Sequence, residues 1–173
     1  MKLFLTVISI LLSNFSVIAQ NTCDSYLVKK TDPLDGKITI DSKRELIFIN
    51  TEKTKGVKYY LSLDKFHLYI MMELVGVKPC IGDDVVMDVF FADSTQKEFK
   101  SIDMANCKKQ CTIGLYLPED STILNKMAKV KIKGMRFHAG ESTMSYVFTT
   151  EQKALFRKNI ECVRNKYRSE FLR

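Results

Sequence analysis

Cysteine and histidine are the residue types in this 173-residue chain best suited to chemistry, and there are five of the first and two of the second. Cys107 and Cys111 are separated by three residues, a spacing that can bring two sulfurs to one metal ion. Zinc normally takes four sulfur or nitrogen ligands, yet the chain has neither a Cys-x-x-Cys knuckle nor a His-x-x-x-His pair. The expected use of these cysteines is therefore disulfide bonding or burial, with Cys80, Cys107 and Cys111 the candidate disulfide partners and no metal or other cofactor expected. Five is an odd number, so one thiol is left over if the rest pair within the chain. That leftover motivates an alternative reading as a thiol-dependent enzyme or redox protein using Cys107 or Cys111.

A histidine base for nucleophilic catalysis can come from His67 or His138 alone. His67 falls on the outer parity of a strand, and His138 follows Phe137 at a strand end before a turn. The chain carries no Gly-x-Ser-x-Gly elbow, no phosphate-binding glycine loop and no dinucleotide fingerprint. Asp83-Asp84 follows Gly82 and reads as turn chemistry. Met72, Met87, Met135 and Met144 fall on apolar strand faces, where they fill a core and do not bind soft metals. No catalytic residue is assigned, and the expectation is a protein that is not an enzyme.

The elements around these residues are mostly strands. From Lys37 to about Phe148 apolar and polar residues alternate with a period of two, the spacing of a strand with one buried face. The predicted strands are Lys37–Asp41, Glu45–Asn50, Val57–Leu63, Phe66–Val75, Val85–Phe91, Thr112–Leu117, Lys129–Phe137 and Thr143–Phe148. In the fourth, Phe66, Leu68, Ile70, Met72 and Leu74 share the core parity. Turns are expected at Asp32–Gly36, Asn50–Gly56, Lys78–Asp84, Pro118–Asp120 and Ala139–Glu141. A bulge at Gly134 would put Val130, Ile132, Met135 and Phe137 on one face. Residues 20–30 fit either an arm or an edge strand.

Near Thr149 the period lengthens. Thr149-Thr150-Glu151-Gln152 matches a capping box, and Phe156, Ile160, Val163, Tyr167 and Phe171 recur at helical spacing. The fold expected is mainly β: an antiparallel sheet or β-sandwich-like domain closed by one C-terminal amphipathic helix at about 150–171, an α+β arrangement. Lys153, Arg157, Arg164 and Arg168 fall in one row on that helix, a candidate anion-binding surface.

Lys2 and the apolar run Leu3–Leu12, ending at Val17-Ile18-Ala19, read as an export signal cut near Ala19. The run is about half the twenty residues that a membrane-spanning helix needs. Residues 20–173 then form a single exported domain, in the periplasm, on the cell surface or outside the cell. The loss of Lys2 lowers the net charge from +7 to +6. With 46% hydrophobic and 27% charged residues, disorder and low complexity are excluded. The aromatic residues fall mostly on core parities, so nucleic acid is not an expected partner, whereas a protein or an anionic cell-surface component is.

Ala19-Gln20, the strands Ile132–Phe137 and Tyr146–Phe148 and the helix Phe156–Cys162 resemble the pattern of small secreted proteins of uncharacterised function common in Bacteroidota. The resemblance implies a β domain closed by a helix and brings no catalytic residue, ligand or partner. The function expected is an exported, non-enzymatic binding or structural module, with electrostatic attachment to anionic surfaces through the last helix as a further alternative.

Overall fold

The computed structural model describes residues 23–43, 45–49, 55–76, 85–102, 109–140 and 142–172. The described residues form two antiparallel sheets and two helices. The first sheet contains β1 (Leu27–Thr31), β2 (Ile38–Ser42), β3 (Glu45–Ile49), β4 (Gly56–Leu63), β5 (His67–Val75) and β8 (Gln110–Tyr116). Its order is β1-β2-β4-β5-β8, with β3 also paired to β4. The second sheet has the order β10-β9-β6-β7, from β6 (Val86–Phe91), β7 (Gln96–Lys100), β9 (Ile132–Ala139) and β10 (Ser142–Val147). Helix α1 spans Leu117–Lys129, and α2 spans Thr150–Phe171.

Alternation sets the buried faces. Leu61 and Leu63 on β4, Leu68, Ile70, Met72 and Leu74 on β5, and Cys111, Ile113 and Leu115 on β8 all point into the core. Met87, Val89 and Phe91 do the same from β6. Phe66 departs from the parity expected of it and is 47% exposed. The cause is local: the Asp64 carboxylate accepts from the amides of both Phe66 and His67, so the chain is still turning at Phe66 and the strand begins one residue later.

Residues Pro118–Asp120, expected as a turn, instead begin helix α1. Proline is tolerated in a first helical turn because its missing N–H has no partner there, and Glu119 and Asp120 face the positive end of the helix dipole. Leu117, Leu124, Met127 and Ala128 give α1 a buried side. The described residues therefore hold two such helices and not one, and β9 starts at Ile132 because Lys129 belongs to α1. The expected irregularity near Gly134 is present: Phe90 pairs with Gly134 but Phe91 with Ile132, so Lys133 is the extra residue. A side chain at Gly134 would run into the carbonyl oxygen of Tyr146, which is why glycine stands there.

Helix α2 has the predicted capping box, Thr149 accepting from the Gln152 amide and Gln152 from the Thr149 amide. Phe156 packs between Tyr59 of the first sheet, 5.1 Å between ring centroids, and Phe148 just after β10, at 6.2 Å. One residue layer further, the buried Asn159 donates to the Tyr59 hydroxyl at 2.6 Å.

The N-terminal arm is settled as an edge strand strapped to α2. Cys23 and Cys162 form a disulfide. Lys166 pairs with Asp24 and Lys29 with Glu170, each at 2.8 Å, while Lys158 lies over the Tyr26 ring. At the other side, Lys126 of α1 reaches the β6–β7 turn, donating to Thr95 and pairing with Asp93 at 3.2 Å. Hydrogen bonds from the hydroxyl and amide of Thr95 hold the Asp93 carboxyl below its ordinary pKa. Among the described residues no helix is long and apolar enough to cross a membrane.

Candidate functional site

The two histidines stand on the outer faces of different sheets, each beside a carboxylate. On the six-stranded sheet, the turn closed by Asp64 delivers Phe66 and His67 to the start of β5, and the period of two then places Tyr69 beside His67. Antiparallel register sets Tyr116 opposite His67 and Gly114 opposite Tyr69. The result is a cluster of rings: His67 stacks on Tyr69 at 5.6 Å, meets Tyr116 at 5.4 Å and has Phe66 edge-on at 6.5 Å. Gly114 is the floor of this cluster, and a Cβ there would touch Ile102 at 3.5 Å and the Tyr69 ring at 3.8 Å.

Phe66, Tyr116 and Ile102 are 47%, 42% and 59% exposed. At the rim, His67 Nδ1 stands 3.4 Å from Asp64, whose other oxygen is 3.9 Å from Lys37. Flat apolar rings with a carboxylate, an imidazole and an ammonium at the edge can hold a partner by stacking and orient it by hydrogen bonds.

On the four-stranded sheet the arrangement is polar. Asp88 is nearly buried, and its carboxylate accepts from Gln96 at 2.8 Å and lies 3.2 Å from His138 Nε2. The other nitrogen of His138 is 3.2 Å from the Thr143 hydroxyl. Thr143, His138 and Asp88 are thus a hydroxyl, an imidazole and a carboxylate in line, the residue types of a nucleophile–base–acid relay. They occupy successive strands of an open sheet face, with the His138 side chain 41% exposed. Arg136, opposite Asp88 in register, covers Phe90 and donates to Ser145. The bonds from Gln96 and His138 satisfy the Asp88 carboxylate, which the strand register would otherwise leave buried and unpaired.

The four cations predicted on α2 do not make one open row. The Arg164 side chain is only 12% exposed, bonds Asn165 at 3.2 Å and lies 3.5 Å from Glu161. Arg168 donates to Asn125 of α1, and Lys153 and Arg157 are half-buried. Of the candidate disulfide partners, Cys111 is fully buried on β8, while Cys80 and Cys107 lie outside the described residues. Among the described residues no group of three or more potential ligands is placed to hold a metal ion.

The ring cluster is not apparent from the periodicity of single strands. Its signal was the make-up of the outer parity: His67, Tyr69 and Tyr116 are more aromatic than a solvated face requires. No protein family, no curated protein and no solved structure matches the chain.

Proposed function

We propose that the chain is an exported, non-enzymatic binding module of the periplasm or cell surface, and that it holds its partner on the rings of the outer face of the six-stranded sheet. The observation that carries this reading is the exposure of Phe66, Tyr116 and Ile102 around His67 and Tyr69. Rings that could be buried by folding are instead kept in water, at a cost that recognition of a partner offsets. The Cys23–Cys162 bond supports export, since such bonds persist in oxidising compartments. Helix α2 is the scaffold in this reading, its cations being engaged in part by Glu161, Asn165 and Asn125.

The test uses the secreted protein, labelled and titrated onto the isolated envelope of the producing cell. Binding is expected to fall by about tenfold or more in Tyr69→Ala and Tyr116→Ala. Charge reversal at Lys153 and Arg157 is expected to leave it unchanged. Binding that survives the ring changes but fails on charge reversal would transfer the role to α2.

A further inference from the structure

Four strands end the two sheet orders, with β3 lying off the first order on β4, and three of the four are guarded. Strand β1 carries Lys29 and Lys30 and is strapped to α2. Strand β7 carries Lys97, Glu98 and Lys100. The β8 edge is met by Ser101, which bridges to Ile113, and by Ile102, whose amide donates to the Thr112 carbonyl. Lysines and covering segments of this kind prevent edge-to-edge pairing.

Strand β10, Ser142-Thr143-Met144-Ser145-Tyr146-Val147, has no charged residue and no proline. Its ladder to β9 has a fixed phase. Phe148 N–H donates to the Lys133 carbonyl, and the register pairs Val147 with Gly134, so the even-numbered residues bond inward to β9. The backbone groups of Thr143, Ser145 and Val147 therefore point away from the sheet, and among the described residues nothing accepts or donates to them. The side chains of the same three residues are exposed, Val147 by 69%.

We propose that β10 is a self-pairing edge: two copies of this chain join β10 to β10, antiparallel, about a two-fold axis centred on Ser145. The geometry selects this occupant and this register. A strand centred on Ser145 faces its copy with Ser145 opposite Ser145 and Thr143 opposite Val147, so every outward backbone group meets one of the opposite kind. On the inner side Met144 meets Tyr146. No like charges oppose each other, whereas the same operation at β1 or β7 would set lysine near lysine. The pairing covers Val147 and turns two four-stranded sheets into one continuous sheet.

The experiment measures the mass of the full secreted chain by light scattering and sedimentation up to millimolar concentration. The wild type is expected to be a dimer. Ser145→Lys and Ser145→Glu each place like charges directly across the axis and are expected to weaken the dimer by about tenfold or more. An equimolar mixture of the two is expected to recover it as a heterodimer, and Lys97→Glu on β7 to leave it unchanged. A wild type that stays monomeric overturns the proposal, as does a dimer indifferent to both Ser145 changes. So does loss in both variants without recovery on mixing, while circular dichroism shows each to be folded. A monomer that instead gains mass only with an added extended peptide assigns the edge to another partner and overturns self-pairing.

Discussion

The outer faces of the two sheets meet the same demand in opposite ways. Each must leave one side of a strand array in water. On the four-stranded sheet the answer is mostly polar, apart from Phe90 under Arg136 and the exposed Val147: Asp88 is bonded by Gln96 and His138, His138 by Thr143, and Arg136 by Ser145. On the six-stranded sheet the answer is a set of rings around His67 that folding leaves exposed. A network whose members satisfy one another is explained by stability, so the histidine–aspartate pair there requires no catalytic account. Exposed rings are not explained that way, and the difference directs the functional reading to His67 and not to His138.

The largest effect expected concerns the strap beneath the ring-bearing sheet. Cys162→Ser frees the arm from α2 across 139 residues of sequence and should cost about 4 kcal/mol, measured by urea unfolding. A loss under about 1 kcal/mol would mean that the salt bridges of Lys29 and Lys166 hold β1 without it. Next comes the polar face, where Asp88→Ala leaves His138 and Gln96 without their shared partner. It should cost about 2 kcal/mol, and a neutral result would remove the claim that this network is structural.

A smaller effect is confined to alkaline solution. Burial, with Cys111 nearby, raises the phenol of Tyr146 above its ordinary value, so the folded state keeps a proton that the unfolded chain gives up. Below the unfolded value, near 10, both states hold the proton and stability has no slope from this group. As pH rises beyond it the unfolded state is favoured, and Tyr146→Phe should lose stability less steeply there in thermal melts. Parallel curves for the two proteins would show that the ring ionises without cost.

The smallest effect is the most discriminating. Tyr116→Ser on the ring face should change stability by under about 0.5 kcal/mol. A cost near that of Asp88→Ala would make the rings a structural feature and erase the contrast between the faces.

Much of the fold was legible because alternation is a local property. The buried parity of Leu68, Ile70, Met72 and Leu74 and the capping box at Thr149 and Gln152 stand in the structure where the residues put them. Strand β7 escaped because Phe99 is its one buried residue, leaving no alternation to read. Helix α1 escaped because Pro118-Glu119-Asp120 serves a turn and a first helical turn equally well. The partnership of Cys23 with Cys162 depends on tertiary packing that no spacing encodes. The ring cluster was hidden for a related reason. Parity assigned His67 and Tyr69 to an outer face, but only register brings Tyr116 beside them.

The measurement that tests the central claim most directly is binding of the protein to the isolated envelope of the producing cell, wild type against a Tyr69→Ala, Tyr116→Ala double variant of matched stability. The account predicts that the wild type binds saturably and the double variant loses about tenfold or more in affinity. Equal binding by the two proteins, or no saturable binding by the wild type, would contradict it.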